Sequence, residues 1–199
     1  MEQRDVLLVF VKSAVKGRVK TRLAQAIGEE PALEVYERLL AITAGAARGV
    51  KALREVHLEG EEMPECFRDE KVFSPCAQVP GDLGERMSAA FVKAFNAGAQ
   101  RVVIIGSDLP TITAQRMKEA FTALATHDAV IGPATDGGYY LLGLRSRIPG
   151  LFTSMPWSTP DLLRSTLAYL DVHAHTYRLL PEERDIDTGD DLRACGWQR

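Results

Sequence analysis

Cysteine is scarce in this chain: 199 residues contain three, Cys66, Cys76 and Cys195, with no CxxC pair among them. An odd, widely spaced set excludes a disulfide framework and a cysteine-rich zinc motif, and reads as free thiols in a reducing compartment. The four histidines, at 57, 127, 173 and 175, also lack zinc-ligand spacing. Long hydrophobic runs are missing as well. The longest, such as Val6 to Val11, fall far short of the roughly 20 residues that span a bilayer. The start, Met-Glu-Gln-Arg-Asp, has none of the apolar character of a secretory leader, so a cytoplasmic soluble domain is expected. Net charge is only −3, which excludes the strongly basic balance of proteins that bind nucleic acid or anionic membranes. No GxGxxG, GxxxxGK[ST] or GxSxG motif occurs, and no Ser–His or Cys–His nucleophile arrangement stands out.

Internal repeats and Ser/Gly-rich linkers are absent too, so residues 1–199 are expected to form one domain. A chain of this length can bury roughly 70–75% of its unfolded surface without a staple. Val6 to Val11 (VLLVFV) is an apolar, β-branched-rich run of the kind that forms a strand covered on both faces. Helical spacing follows over Pro31 to Arg48, then a weaker strand over Arg54 to Leu58 and a short one over Lys71 to Phe73. Gly84 to Ala97 reads as helix, Arg101 to Ile105 as a buried strand, and Thr113 to Leu124 as a helix capped by Thr113. Ala129 to Ile131 and Tyr139 to Leu144 pair as a hairpin around Asp136-Gly137-Gly138. A helix over Pro160 to Leu170 with Thr159 as its cap, a strand over His173 to Arg178 and a helical turn over Asp190 to Ala194 complete the chain. Strands alternating with helices imply a three-layer α/β/α domain whose sheet is mainly parallel with one antiparallel excursion.

In open α/β sheets, ligands sit beyond the carboxyl ends of the strands, so the residues just after each strand carry the chemistry. After the first strand comes Lys12 to Leu23 (KSAVKGRVKTRL), inside an acid-free stretch from Val6 to Gly28. Lys12, Lys20 and Arg22 suit phosphate, Gly17 lets backbone approach a ligand, and in an extended segment Lys20 and Arg22 share a side. A solvated basic loop is the alternative. Asp108 in GSDLP, at the end of a buried strand, is placed to bind a divalent cation that bridges phosphates, or else to cap a turn. Asp185 and Asp187 alternate onto one face if extended, so both can point at that ion, unless Asp187 or Thr188 only caps the closing helix. Asp82 and Glu85 fit a capping box, with Arg86 free either to bind ligand or not. Asp136 can serve as a carboxylate beside the bare backbone of Gly137 and Gly138, or the three can form only a turn. Trp157 and Ser158 can offer a stacking face.

Together VKTRL at 19–23, DLGERM at 82–87, GSDLP at 106–110, GPATDGGYYLLGL at 132–144 and PWST at 156–159 resemble the DUF2064 group of small glycosyltransferase-like proteins. The resemblance runs in order over nearly the whole chain, and DGGYYLLGL is its most specific stretch. It implies a compact GT-A (nucleotide-diphospho-sugar transferase) fold, and the chain is similar also to guanylyltransferases of molybdenum-cofactor and phospholactate metabolism. By resemblance, Lys20 and Arg22 match residues that cradle nucleotide phosphates; Lys12, Gly17, Asp82 and Arg86 are expected to bind the nucleotide with them. Asp108, Asp185 and Asp187 match the acids that hold Mg²⁺ or Mn²⁺. Gly137, Gly138, Tyr139, Trp157 and Ser158 fall on the acceptor side. GSDLP departs from the paired DxD of many glycosyltransferases by holding a single carboxylate.

Three functions are therefore expected to compete. The first is metal-assisted transfer of a sugar from a nucleotide-sugar to a small acceptor, with Asp136 as general base. The second is nucleotidyl transfer from a nucleoside triphosphate to a phosphorylated acceptor, releasing pyrophosphate. The third is a non-catalytic nucleotide-binding module. Oligomeric state leaves no mark in the sequence.

Overall fold

The computed structural model describes residues 4–197. Met1 to Gln3, part of the start read above as lacking a leader, lies outside them. Seven strands form one sheet: β1 (Asp5–Lys12), β2 (Leu53–Glu59), β3 (Ser74–Ala77), β4 (Arg101–Ile105), β5 (Ala129–Pro133), β6 (Tyr139–Leu144) and β7 (Tyr177–Leu179). Their spatial order is β3-β2-β1-β4-β6-β5-β7. All neighbours pair in parallel except β6, which runs antiparallel to both β4 and β5. The hairpin read from the sequence thus supplies the antiparallel excursion, inserted beside the central strand. Among the described residues six α-helices accompany the sheet: α1 (Thr21–Ile27), α2 (Glu29–Arg48), α3 (Leu83–Asn96), α4 (Ala114–Ala123), α5 (Leu162–Val172) and α6 (Gly189–Ala194).

Alternation along β1 divides the core into two faces. Leu7, Val9 and Val11 point at α2 and α4, where they meet Tyr36, Leu40, Met117 and Phe121. Val6 and Leu8 point at α3 and α5, against Met87, Phe91 and Leu170. A third, smaller cluster has consequences for the site. Leu23 of α1 packs with Ala32 and Leu39 of α2 and with Ile186 and Leu192 from the end of the chain. Burial of Ile186 and Leu192 therefore docks the late acidic segment onto α1.

Several boundaries differ from the sequence reading. The third strand begins at Ser74, because Val72 and Phe73 donate their N–H groups to Asp69 O in a turn. Thr159 does not cap α5. Its hydroxyl donates to Pro156 O and accepts from Asp161 N, so Pro160 lies in a turn and the helix starts at Leu162. The last strand is only Tyr177–Leu179, since α5 continues to Val172 and Ala174 turns the chain with φ 55°. The Thr113 cap and the Asp82–Glu85 capping box are both present.

Candidate active site

A cleft of about 560 Å³ opens at the carboxyl-terminal edge of the sheet. Its floor comes from the ends of β1, β2 and β4 and from the start of β6, whose reversal brings Tyr139 to the same edge. Lys12, Lys20, Arg22, Asp82, Arg86, Asp108, Tyr139, Ser158, Asp185 and Asp187 all line it. Residues far apart in the chain and chosen on chemical grounds are thus gathered in one place.

Lys20 stands at the centre. It is the N-cap of α1, held in the left-handed region at φ 48° and ψ 41°. The Lys20–Arg22 stretch is therefore not extended: α1 begins at Thr21, and Arg22 projects from its first turn. The missed helix had a signal in the apolar spacing of Val19, Leu23 and Ile27. The Lys20 side chain is only 4% exposed, and its ammonium lies 2.6 Å from Asp108 Oδ1. It also donates to Ile186 O at 2.5 Å, while Ile186 N donates to Asp108 O at 3.0 Å. One lysine thereby ties the loop after β1, the loop after β4 and the late acidic segment together.

Asp185 differs from its neighbours. Its Oδ1 is buried and has no hydrogen-bond partner among the described residues, and burial, with the charges of Asp108 and Asp136 next in importance, pushes its pKa up to about 7. The Asp187 carboxylate, which also lines the cleft, accepts from Arg22 at 2.6 Å. Ile186, between the two aspartates, is drawn into the core, and the chain then turns at once into the Thr188–Asp191 capping box of α6. Among the described residues, the three aspartates do not bring their ligand atoms within 4.8 Å of one another, and Asp185 feels the charges of Asp108, Asp136, Lys20 and Asp187.

Across the cleft, Arg86 Nη1 and Lys12 Nζ lie 2.7 and 3.5 Å from Glu59 Oε2, and Arg86 also donates to Gly81 O. Asp82 is occupied as the cap of α3, accepting from Glu85 N at 2.9 Å. Beneath Lys12, the Tyr36 hydroxyl accepts from Lys12 N and donates to Lys12 O, and burial pushes its pKa up to about 12. Glu59, Gln78 and Tyr36 were missed by sequence reasoning. Glu59 was recoverable by inspecting the end of β2 as the ends of β1 and β4 were inspected, whereas Gln78 follows a strand whose limits were misplaced.

Other expectations fare differently. Gly17 turns the chain at φ 74° but does not line the cleft; the space a Cβ would take adjoins Glu29. Trp157 does not present a free stacking face, because its indole lies over Gly84 and stacks with Phe152. A Cβ at residue 84 would come within 2.3 Å of the indole nitrogen, so the bare glycine admits the ring. Asp136 is exposed and accepts from Gly138 N at 2.8 Å in a short turn. Gly137, at φ 88°, packs against the backbone of Pro160 and its carbonyl accepts from Leu163 N.

DUF2064, a family described as uncharacterized protein conserved in bacteria, matches residues 40–159, more than half of the chain. The protein is a member of the DUF2064 family. A search of curated proteins finds no match. Among solved structures, this DUF2064 protein is similar to one from Desulfovibrio desulfuricans G20, provisionally named a nucleotide-diphospho-sugar transferase. The two are 33% identical over 97% of this chain and 86% of that one, with a TM-score of 0.87. It shares its fold with CMP:2-keto-3-deoxy-manno-octonic acid synthetase complexed with CTP, at 11% identity, TM-score 0.58 and 97% coverage of both chains. The same holds for Rv0371C of Mycobacterium tuberculosis H37Rv in complex with manganese, at 16% identity, TM-score 0.53 and 98% coverage of both chains. The DUF2064 chain therefore has the mixed α/β architecture of nucleotide-diphospho-sugar and nucleotidyl transferases.

Proposed function

We propose that this DUF2064 protein transfers a sugar from a nucleotide-diphosphate sugar to the hydroxyl of a small acceptor, assisted by Mg²⁺ or Mn²⁺. It is a transferase that acts on a nucleotide-bearing substrate. One observation carries the reading: Asp185 Oδ1 lies buried without a hydrogen-bond donor next to Asp108 and the enclosed Lys20 ammonium. A buried carboxylate oxygen left without a partner is costly unless a cation meets it. The donor set fits a hard divalent ion, since Mg²⁺ and Mn²⁺ take one or two carboxylates plus substrate phosphate oxygens. Asp108 and Asp185 would hold it, and when bound it supplies neutralisation of the diphosphate. A fold neighbour solved in complex with manganese supports that choice of ion.

The chain's own groups do the remaining work. Lys20 and Arg22 exchange their carboxylate partners for phosphate oxygens and add positive charge where the leaving diphosphate gains it. Lys12 and Arg86, which share Glu59, bind the nucleotide on the opposite wall. Gly137, Gly138, Tyr139 and Ser158 border the acceptor. Asp136, exposed beside them, takes the acceptor's hydroxyl proton as that oxygen bonds to the sugar's anomeric carbon. The bond from that carbon to the phosphate oxygen breaks, and its electron pair leaves with the nucleoside diphosphate.

Nucleotidyl transfer is the second reading, favoured by the late acid Asp185 lying near Lys20 and by the CTP-bound fold neighbour. Incubation with a panel of nucleotide-sugars and nucleoside triphosphates, with Mg²⁺ or Mn²⁺, separates the two. Release of nucleoside diphosphate is expected; release of pyrophosphate selects the second reading. Metal-dependent nucleotide binding without turnover of any donor leaves a binding module.

A further inference from the structure

On the α3 side of the β2–β3 edge, outside the acidic part of the cleft, three side chains of another chemistry meet. Glu55 and His57 are two residues apart on β2 and share a face, while His57 and Cys76 are register partners on adjacent parallel strands. Each offers one metal-competent atom, and these atoms lie within 4.8 Å of one another. His57 Nε2 is 3.2 Å and Cys76 Sγ 3.4 Å from the same Glu55 oxygen. A tetrahedral zinc ion, with bonds of about 2.0–2.1 Å to nitrogen and oxygen and about 2.3 Å to sulfur, needs edges of about 3.3 and 3.6 Å. The oxygen–nitrogen and oxygen–sulfur pairs already stand at close to that spacing. His57 is 4% exposed and its ring stacks on Phe10 with centroids 5.2 Å apart, so packing fixes its orientation.

A cation already uses this place. Lys93, from α3, brings its ammonium 2.9 Å from Cys76 Sγ and 3.2 Å from the Glu55 carboxylate. Its side chain is 56% exposed, so it can leave for solvent without disturbing the core. We propose that Glu55, His57 and Cys76 form a zinc-binding site that the ion enters by displacing the Lys93 ammonium, with a fourth position open to water. On binding, the Cys76 thiol gives its proton to solvent and its sulfur bonds to zinc; no electrons are exchanged. A nitrogen–sulfur–oxygen set selects Zn²⁺ over Mg²⁺, the reverse of the all-oxygen preference at Asp108 and Asp185. Gln78, a cleft residue, donates to His57 O at 2.9 Å, so zinc would brace the cleft wall from behind. The histidine and cysteine spacings that excluded zinc along the sequence miss this group because β3 pairing, not chain proximity, brings Cys76 to His57.

Cobalt(II) titration of the full chain tests the site, since a cobalt thiolate is visible in the near ultraviolet. One equivalent should give a tetrahedral spectrum with a thiolate-to-cobalt band that Zn²⁺ abolishes. Cys76→Ser should lose the band, whereas Cys66→Ser and Asp108→Asn should keep it. Lys93→Ala, which removes the competing ammonium, should bind cobalt severalfold more tightly. Absence of the band in the unmodified protein, its persistence in Cys76→Ser, or unchanged or weaker binding in Lys93→Ala would each overturn the proposal. The Lys93→Ala arm remains decisive if Cys76→Ser does not fold.

Discussion

Asp5 and Asp185 lie at opposite ends of the sheet and live in opposite circumstances. Asp5, at the amino-terminal end, is met by both arms of Arg101 at 2.8 and 2.7 Å, and the two side chains are 13% and 15% exposed. Arg101 also donates to Phe121 O, so the pair joins β1, β4 and α4. Nearby, Asp128 accepts from both the backbone and the hydroxyl of Thr176. Asp185, at the carboxyl-terminal end, keeps an oxygen without a donor among like charges. One end is satisfied by the chain itself, whereas the other leaves a buried acid oxygen without a donor. Charge at the first end is therefore expected to serve stability and charge at the second to serve chemistry.

Substitutions sharpen or break that contrast. The largest effect is expected at Lys20→Ala, which should reduce turnover on the order of a hundredfold, comparable to removing one charge-stabilising donor. A variant that retains full kcat would remove Lys20 from the chemistry. Asp185→Asn should abolish the response of activity to Mg²⁺ while raising the metal-free Tm by roughly 2–4 °C, the equivalent of about 1 kcal/mol in a chain of this size. A fall in Tm would mean that Asp185 stabilises the fold as Asp5 does.

At the other end, Asp5→Ala should cost about 2 kcal/mol in urea unfolding and leave KM and kcat unchanged. Asp82→Ala, which removes the capping box of α3, should cost about 1 kcal/mol. The smallest effect concerns acid. Hydrogen bonds from Thr176 hold the Asp128 carboxyl below its ordinary value of 3.8, so its stabilisation is present above that value and fades as pH falls below it. Asp128→Asn should therefore melt below the unmodified protein at neutral pH, with the gap closing on descent below about pH 4. A gap constant across that range would assign the stability to shape and not to charge.

The two ends also differ in how well the sequence reveals them. Buried runs such as VLLVFV and RVVII declare their strands, and the Thr113 and Asp82 caps mark their helices, because those signals are local. Lys20, Asp108 and Asp185 were legible as residue types at strand ends, but not as a group centred on one buried ammonium. That arrangement depends on Leu23 and Ile186 meeting in a small core cluster, a tertiary event with no local trace. The same limit explains why the Arg22–Asp187 ion pair was not foreseen, and why Trp157, read as open, lies over a bare glycine of α3.

The reversed direction of β6 has its own consequence. A parallel partner for β4 would need a crossover of a dozen or more residues to return to the cleft, whereas here the short turn spanning 134–138 delivers both Pro133 and Tyr139 to one rim. Lengthening or shortening that turn would reshape this rim of the cleft while the β5–β6 ladder stays in register. The five residues of the turn are also tied to the rest of the fold, since Ala134 bridges to Glu183 and the Gly137 carbonyl accepts from Leu163 N, so a change of length there would be felt at the start of α5.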